Sequence, residues 1–315
     1  MLFKRKILLL LIIAAGLVLA FLFTGVSSNW DYILPRRTVK ISAIIVTGAA
    51  IAFSTVIFQT ITTNRILTPS ILGLDSMYLL VQTLVVFFFG SGSIAMMDSQ
   101  VNYLLSVAAM VLFSFLLFKW LLRRGGNIYL LLLVGIILGT FFSSLSSFMQ
   151  VLIDPNEFLI VQDKMFASFN NVNTDLLGIS VVIMIGSLLY YLPYHKYMDV
   201  MALGKDHAVN LGVPYERIIQ RLLIVVAVLI SVATALVGPV TFLGLLVVNL
   251  AHEFLNTFRH NYLLAVSILF SVIALAGGQL IVERVFTFST TISVLINFIG
   301  GIYFIYLLLR ENKAW

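Results

Sequence analysis

A run of 30 consecutive uncharged residues, from Leu222 to Ala251, constrains the fold of this chain more than any other feature. A helix needs about 20 apolar residues to cross the roughly 30 Å hydrocarbon core of a bilayer. The run is therefore too long for one ordinary span and short for two. Gly238 and Pro239 interrupt it near the middle, and proline removes a helix hydrogen bond. The sequence thus predicts two short crossings, each about half the run.

The composition of the whole chain agrees with a membrane protein. Of its 315 residues, 61% are hydrophobic and only 10% are charged. Soluble domains are about 25% charged, so the composition excludes a cytosolic enzyme and a secreted binding protein. Cysteine is absent, which excludes disulfides and cysteine-based metal or redox sites.

Ten membrane spans are predicted, and the fold class is therefore an all-α polytopic membrane protein. The first span follows a basic N-terminus, as a signal peptide does, but its apolar run is long and no clear cleavage site follows it. Besides the two in the long run, the predicted spans are Ile7–Val26, Ile41–Ile61, Ser76–Met97, Val101–Phe118, Ile128–Ile153, Leu176–Pro193, Tyr262–Ile281 and Thr291–Leu309.

The distribution of positive charge supports this count. With ten crossings both termini lie on one side, and that side carries 14 of the 19 lysines and arginines. A single crossing for Leu222–Ala251 changes the division to 12 against 7. Because cytoplasmic loops are rich in Lys and Arg, the asymmetry favours ten crossings with both termini cytoplasmic. The net charge of +6 is then a topology signal and does not indicate nucleic-acid binding.

Residues that could perform chemistry are scarce. No Gly-x-x-x-x-Gly-Lys-Ser/Thr loop is present, so the chain is not expected to hydrolyse nucleotide by itself. His252 and Glu253 begin like a zinc-protease helix, but Asn256 stands where the second histidine is needed. The four histidines lie near predicted cytoplasmic ends and are interpreted as loop or interface residues: His195, His207, His252 and His260. The sequence therefore predicts no catalytic residue and no metal site.

The predicted spans contain almost no ionisable group. Asp75 and Glu253 are placed near cytoplasmic span ends, where water reaches them. Ion-coupled carriers and intramembrane enzymes need ionisable groups inside their spans. Movement of a solute must therefore draw its energy from another subunit, and an ion-coupled secondary transporter is the alternative from a different class.

The fifth predicted span carries small and polar residues on one face. At about 100° per residue, five residues fall within about 80° of one another. They are Gly135, Gly139, Ser143, Ser146 and Gln150. The Gly-x-x-x-Gly spacing permits close approach of another helix backbone. The stripe predicts either tight helix packing or a helix that lines a water-filled pathway, and the two can coexist.

Two segments outside the spans are candidate docking sites. Residues 195–221 form the longest cytoplasmic loop, in which Asp206–Leu211 is predicted to form a short helix. Docking of this helix on a cytoplasmic partner is one interpretation, and a generic amphipathic loop is the other. Residues 28–40 are interpreted as an external loop that holds Arg36, Arg37 and Lys40. These cations either anchor the chain to lipid headgroups or bind an acidic partner.

Five stretches of the chain carry a family resemblance. They are LPRR at Leu34–Arg37, GAAIAFSTVIFQTITTNRILTPSILG at Gly48–Gly73, LGKDHAVNLGV at Leu203–Val213, VGPVTFLGLLVVNLAHEF at Val237–Phe254 and IGGIYFIYLLLR at Ile299–Arg310. Together they resemble the permease subunits of ABC importers for iron–siderophore complexes, heme and cobalamin, the FecCD type. The resemblance covers nearly the whole chain and is strongest to Gram-positive permeases for catecholate siderophores such as petrobactin.

The resemblance implies a type II ABC importer permease with ten helices and three kinds of partner. A second permease subunit completes the pathway, an external substrate-binding lipoprotein delivers the ligand, and a cytoplasmic ABC ATPase dimer binds ATP and Mg²⁺. The resemblance places the ATPase-coupling helix at Leu203, Gly204, Lys205, Asp206, His207, Ala208, Val209, Asn210, Leu211 and Gly212. It also implies that Arg36 pairs with a glutamate of the binding protein, with Arg37 beside it and Arg284 near another such position.

Three departures from the family pattern bear on how the permease pairs. Val248 and Asn249 replace a usual Pro-His, so His252 does not inherit a family role. A common aspartate is missing within Ala276–Gly278, and Thr290–Thr291 replaces a usual Leu-Pro. These departures favour a second permease of different sequence over pairing with an identical chain.

The sequence as a whole predicts a single transmembrane permease domain over residues 1–315, with an external loop at about 154–175. Its expected place is the bacterial cytoplasmic membrane, in contact with lipid and not with nucleic acid. The expected function is import of an iron(III)–siderophore complex, with heme or cobalamin as alternative ligands. No cofactor is expected to bind this chain.

Overall fold

The computed structural model describes residues 2–25, 29–90, 92–93, 98–122, 128–170 and 172–311. Within these ranges the chain is helical and no strand occurs, which confirms the predicted fold class. The α-helices are α1 (Leu2–Phe23), α2 (Trp30–Thr62), α3 (Leu74–Phe89), α4 (Ser99–Leu122), α5 (Ile128–Leu152), α6 (Pro155–Lys164), α7 (Thr174–Tyr191), α8 (Met198–Met201), α9 (Lys205–Asn210), α10 (Tyr215–Val237), α11 (Leu243–Leu255), α12 (His260–Arg284) and α13 (Ile292–Glu311). Two 3₁₀ helices, Pro69–Leu72 and Leu192–Tyr197, precede α3 and α8.

Eight of the described helices are long and apolar enough to cross a bilayer, and α3 and α11 are shorter apolar helices. Helices α2 and α10 are the most enclosed, because 83% and 72% of their most apolar windows are buried. For α1, α5, α7 and α13 the buried share is only 17–22%, so these helices present apolar side chains to their surroundings. The bundle thus has a central pair of helices with the others packed around it.

One end of the bundle, here called the Asp199 end, is where α1 begins, α2 ends and α12 begins. There the Lys6 amine donates a hydrogen bond to the carbonyl oxygen of Phe254 at 2.5 Å. Asp199 lies 2.6 Å from His260 at the same end. A single crossing of Leu222–Ala251 would put Asp199 and His260 at opposite ends. The contact therefore confirms that this run crosses twice.

The opposite end, here called the Glu283 end, is where α1 ends, α2 begins and α12 ends. The Lys40 amine and the Glu283 carboxylate form an ion pair of 2.8 Å there. The backbone N–H of Ser168 donates to the carbonyl of Val237 at 2.8 Å, which brings the loop after α6 to the end of α10. Lys40 and Arg284, both predicted on one side of the membrane, share this end.

The long uncharged run breaks where the sequence predicts, but the two parts are unequal. Gly238 ends α10 with a φ of 99°, a left-handed conformation that favours glycine. The prediction that each crossing takes half the run is wrong. Helix α10 begins at Tyr215 and has 23 residues, whereas α11 has only 13 residues, about 20 Å of helix. The predicted 195–221 loop is correspondingly too long, since 215–221 belong to α10.

Helices α3 and α11 are short because irregular backbone completes their crossings inside the protein. Residues 237–240 are buried, and so are Pro69 and Leu72 of the 3₁₀ helix before α3. Non-helical backbone is tolerated at membrane depth only where protein or a wet cavity covers it. The predicted span Ser76–Met97 is therefore α3 at Leu74–Phe89, and residues 91 and 94–97 of that prediction lie outside the described residues.

The placement of Asp75 near a wet span end is wrong. Gly73 packs against Gly139, eleven residues into α5 and thus about 17 Å from its start. Asp75 lies in the first turn of α3, just after this contact, and accepts a hydrogen bond from Thr241 at 3.3 Å. The carboxylate is therefore inside the bundle between the two broken segments. Asp75 lies there because the 3₁₀ helix Pro69–Leu72 carries the chain into the bundle before α3 begins.

Two predicted external loops contain helix. Residues 30–40, interpreted as loop, are the first three turns of α2, and Pro35 lies in the second turn. Proline there removes a single hydrogen bond close to the helix start, which a 33-residue helix tolerates. The external segment 154–175 contains α6, where the Asp154 carboxylate accepts a hydrogen bond from the N–H of Asn156 and Pro155 occupies the first position.

Candidate functional site

Segment 192–214, between α7 and α10, is the longest described part of the chain at the Asp199 end that does not span the bundle. It consists of the 3₁₀ helix Leu192–Tyr197, α8 and α9. Gly204 and Gly212 flank α9 with φ values of 93° and 79°, so the chain turns sharply on both sides of it. The predicted short helix Asp206–Leu211 is confirmed as Lys205–Asn210.

Buried side chains hold this segment against the bundle while other apolar side chains point away from it. Met198, Met201 and Ala208 are completely buried. Leu203 and Leu211, on either side of α9, are 58% and 64% exposed. Large exposed apolar side chains outside the spans are typical of a surface that another protein covers. The segment therefore has a face that packs on this chain and a face available to a partner.

A line of three polar side chains ties the segment to two long helices. The carboxylate oxygen Oδ1 of Asp199 in α8 accepts hydrogen bonds from the backbone N–H of His260 at 2.9 Å and from its ring nitrogen Nδ1 at 2.6 Å. The other ring nitrogen, Nε2, lies 2.8 Å from the Thr60 hydroxyl of α2. The His260 side chain is only 4% exposed. We call this group the Asp199 clamp, because it connects α8 with the start of α12 and the end of α2.

The Asp199 clamp could not be found from the sequence, since Asp199 and His260 are 61 residues apart. It has the order of a hydrolytic triad, but Thr60 and His260 are only 8% and 3% exposed. A nucleophile and its base must be open to the substrate that they attack. The arrangement thus serves structure. Among the described residues no group of three or more His, Cys, Asp or Glu could hold a metal ion.

At the Glu283 end, Arg37 and Arg284 meet at the last turn of α1. The guanidinium of Arg37 donates to the carbonyls of Phe21, Leu22 and Thr24 at 2.8–3.0 Å. Arg284 donates to the same Thr24 carbonyl at 2.5 Å. Cations at a helix C-terminus satisfy its free carbonyls and the helix dipole. Both side chains therefore cap α1, and their predicted role in docking remains a prediction.

Arg36 is exposed, and unlike these two arginines its guanidinium donates to no described backbone carbonyl. Its guanidinium lies 4.2 Å from the centre of the Tyr32 ring, and it makes no ion pair with any described residue. Lys40, by contrast, is paired with Glu283, whose carboxylate also accepts a hydrogen bond from Gln279 at 3.0 Å. Arg36 is thus the predicted docking residue whose charge is available to a partner.

Burial also affects a cation in the external segment. Burial lowers the pKa of the Lys164 amine at the end of α6, and the nearby Asp163 carboxylate opposes this effect.

The small and polar stripe of α5 packs against the 3₁₀ helix Pro69–Leu72 and α3. A Cβ on Gly135 would lie 2.9 Å from the Cα of Leu72, and one on Gly139 would lie 3.0 Å from the Cα of Gly73. The prediction of close backbone contact is therefore confirmed.

The polar members of the stripe face the same neighbours. The Ser143 hydroxyl donates to that of Ser76 at 3.0 Å, and the Gln150 amide donates to the Thr83 hydroxyl at 3.1 Å. Ser146 is 3% exposed. Because Ser143 remains exposed and Gln150 is half-buried, the pathway-lining role of these five residues stays a prediction.

Comparisons with known proteins agree with this architecture. A family model described as the FecCD transport family matches residues 6–310. The petrobactin import system permease protein YclO of Bacillus subtilis (strain 168) is 60% identical over 313 residues, which cover 99% of this chain and 99% of that protein. The petrobactin import system permease protein FatC of Bacillus anthracis is 37% identical over 287 residues, 91% of this chain and 81% of that protein.

A solved structure shares the fold. It is described as an inward-facing conformation of a metal-chelate type ABC transporter, and it is similar to this chain with a TM-score of 0.82 at 22% identity. The match covers 98% of this chain and 99% of that one. At this identity the similarity concerns the fold alone, and it agrees with a permease architecture for the whole chain.

Proposed function

This chain belongs to the FecCD transport family, and we propose that it is the permease subunit of an ATP-driven importer for an iron(III)–siderophore complex of the petrobactin class. The observation that carries the proposal is the 60% identity with a petrobactin import permease along 99% of both chains. Residues 1–315 form one transmembrane domain in the bacterial cytoplasmic membrane, and the chain binds no cofactor of its own.

The Asp199 end faces the cytoplasm, with both termini on that side, and the Glu283 end faces outward. The excess of lysine and arginine predicted at the first end supports this orientation. Segment 192–214 is then the coupling segment, on which a cytoplasmic ATPase dimer docks through exposed side chains such as Leu211. A second permease of different sequence completes the pathway, and an external binding lipoprotein docks at the Glu283 end.

In this function the chain changes conformation when the ATPase moves it, and it performs no bond-making chemistry. ATP binding moves the ATPase subunits, and they move the coupling segment. The Asp199 clamp passes this displacement to α2 and α12 through two hydrogen bonds of 2.6 and 2.8 Å. The displaced helices switch between two packed arrangements, and this switch opens the pathway to one side of the membrane and then to the other.

Uptake of petrobactin loaded with radioactive iron tests the function directly. Cells that lack the whole transporter should take up the complex only when this chain, its ATPase, the second permease and the binding protein are all restored. Uptake should persist with an uncoupler when ATP is held constant. Collapse with the uncoupler would indicate an ion-coupled carrier, and transport of heme or cobalamin instead would overturn the ligand class.

Charge reversal at Arg36 tests docking of the binding protein. We expect Arg36→Glu to weaken binding of that protein about tenfold at low salt, since like charges then face each other at the interface. The loss should shrink at high salt because exposed charges are screened. Arg37→Glu is the contrasting variant. It removes the cap of α1, so its main effect should be a lower thermal stability and not a salt-dependent loss of affinity. An unchanged affinity for Arg36→Glu at every salt concentration would count against this docking site.

A further inference from the structure

An open pocket lies at the Asp199 end beside the coupling segment. Its lining includes Arg65, which follows α2, Leu203 of the coupling segment, and His252, Phe258 and His260 from the end of α11 to the start of α12. Leu203 is 58% and Phe258 72% exposed, so the mouth of the pocket carries two large apolar side chains. Arginine and aromatic residues such as Phe are enriched at protein interfaces relative to the rest of the surface.

The positive charge of this pocket is not matched by the chain itself. No described carboxylate lies within ion-pair distance of Arg65. Asp199 is the one acid among the lining residues, and its Oδ1 atom already accepts two hydrogen bonds from His260. The charge of Arg65 is therefore available to an anion from outside the chain.

The backbone of Arg65 is held in place although its guanidinium has no acidic partner. Its carbonyl accepts hydrogen bonds from the Gln59 amide at 2.6 Å and from the Asn249 amide at 2.9 Å. These two contacts fix the turn after α2 against α11. A side chain on a fixed backbone loses less freedom on binding than one on a mobile loop, which favours its use at an interface.

We infer that Arg65 binds a carboxylate side chain of the cytoplasmic ATPase. This inference rests on the proposed function, because it takes the coupling segment as the place where the ATPase docks. Leu203 belongs to that segment and lines the same pocket, so a protein that covers the segment also covers the pocket mouth. The charge complementarity selects an acidic side chain as the group that enters.

This contact gives the ATPase a second connection to α2. The first runs through the Asp199 clamp to Thr60, and the second reaches Arg65, three residues beyond the end of α2 at Thr62. A displacement of the ATPase is thereby passed to one long helix at two points. The end of α2 then follows the ATPase even when the coupling segment bends.

Cross-linking from single cysteines tests the location of the contact, since the chain has no cysteine of its own. Arg65→Cys, Leu211→Cys and Lys119→Cys are labelled with a photoreactive maleimide in membranes that contain the complete transporter. Lys119 is the matched control, because it is an exposed cation near the end of α4 that does not line the pocket.

We expect adducts with the ATPase from Arg65→Cys and Leu211→Cys, and none from Lys119→Cys. The adduct at Arg65 should map to an ATPase peptide that contains Asp or Glu. Adducts from Leu211→Cys alone, or adducts between Arg65→Cys and lipid only, overturn the inference and leave the proposed function intact. Failure of both cysteines to reach the ATPase overturns the proposed docking surface as well.

Charge reversal tests the chemistry of the contact. We expect Arg65→Glu to reduce ligand-stimulated ATP hydrolysis about tenfold at low salt, whereas Arg65→Lys keeps most of it, because reversal places like charges together. Lys119→Glu should change the rate less than twofold, as is usual for a surface charge away from a contact. Suppressors of Arg65→Glu should replace an acidic residue of the ATPase with Lys or Arg. An equal loss for Arg65→Glu and Lys119→Glu contradicts the inference.

Discussion

A chain whose residues 204–212 are replaced by a glycine–serine linker of equal length should insert normally and lose ligand-stimulated ATP hydrolysis. The linker removes α9 and the turns at Gly204 and Gly212, two residues with positive φ that set the direction of this helix. Insertion should survive because the eight long apolar helices are untouched. The measurement is ATP hydrolysis by the complete transporter in proteoliposomes, with and without ligand-loaded binding protein.

Two point variants separate a lost docking contact from a lost fold. Leu211→Asp places an acid on a side chain that is 64% exposed, and Ala208→Asp places the same acid at a fully buried position of the same short helix. Leu211→Asp should keep the yield of folded protein and lower stimulated hydrolysis about 30-fold, the effect of removing an apolar anchor from an interface. Ala208→Asp should lower the yield itself, because burying an unpaired charge is costly. Normal stimulation in Leu211→Asp would falsify the coupling assignment.

The parts of the fold that the sequence predicts are those set by local physics. The bilayer requires long apolar helices, so span number and order follow from hydropathy. The break at Gly238 follows from backbone geometry, because a left-handed residue cannot continue a helix. The short helix after Gly204 was predicted within one residue at each end. Close approach at Gly135 and Gly139 follows from the spacing of small residues on one helix face.

The parts that the sequence could not predict depend on contacts between distant residues. Asp75 lies deep in the bundle because the 3₁₀ helix before α3 carries the chain inward, and hydropathy does not distinguish such re-entry from a span end. Residues 30–40 are helical although the predicted span begins only at Ile41, because hydropathy marks the apolar part of a helix and not its polar first turns. The Asp199 clamp joins polar residues from three elements, and neither its residue types nor their spacing mark it.

The contacts at five of the predicted docking and pathway positions show which physical role each residue has. Arg37 and Arg284 have charge that fits a docking site, but the free carbonyls of α1 take up their donors. Gly135 and Gly139 fit a pathway as well as a packed interface, and the neighbouring backbone occupies the space beside them. Arg36 is the one of the three arginines whose guanidinium donates to no described backbone carbonyl and pairs with no described acid. Residue type alone identifies candidate docking and pathway residues, and the contacts of each residue in the fold decide which of these roles it can have.

The contact between Gly139 and Gly73 should be the most sensitive point of the fold. A Cβ on Gly139 would lie 3.0 Å from the Cα of Gly73, and one on Gly73 would lie 2.9 Å from the Cα of Gly139. Both obstacles are backbone, so no side chain can rotate away to make room. Gly73 also has a φ of 82°, which disfavours any other residue. A larger residue at either position therefore has to separate α5 from the start of α3.

We expect Gly139→Leu to lower the free energy of unfolding by about 3 kcal/mol or more, at the upper end of the cost of overpacking a core. The measurement is the temperature at which half of the detergent-solubilised protein aggregates, together with the yield of monodisperse protein. Gly178→Leu is the matched control, because Gly178 is an exposed helical glycine with no atom within 4 Å of an added Cβ. It should be neutral or stabilising, since leucine favours helix over glycine. Equal stability of the two variants would mean that α3 and α5 do not meet through these glycines, and Asp75 would then lose the packing that holds it inside the bundle.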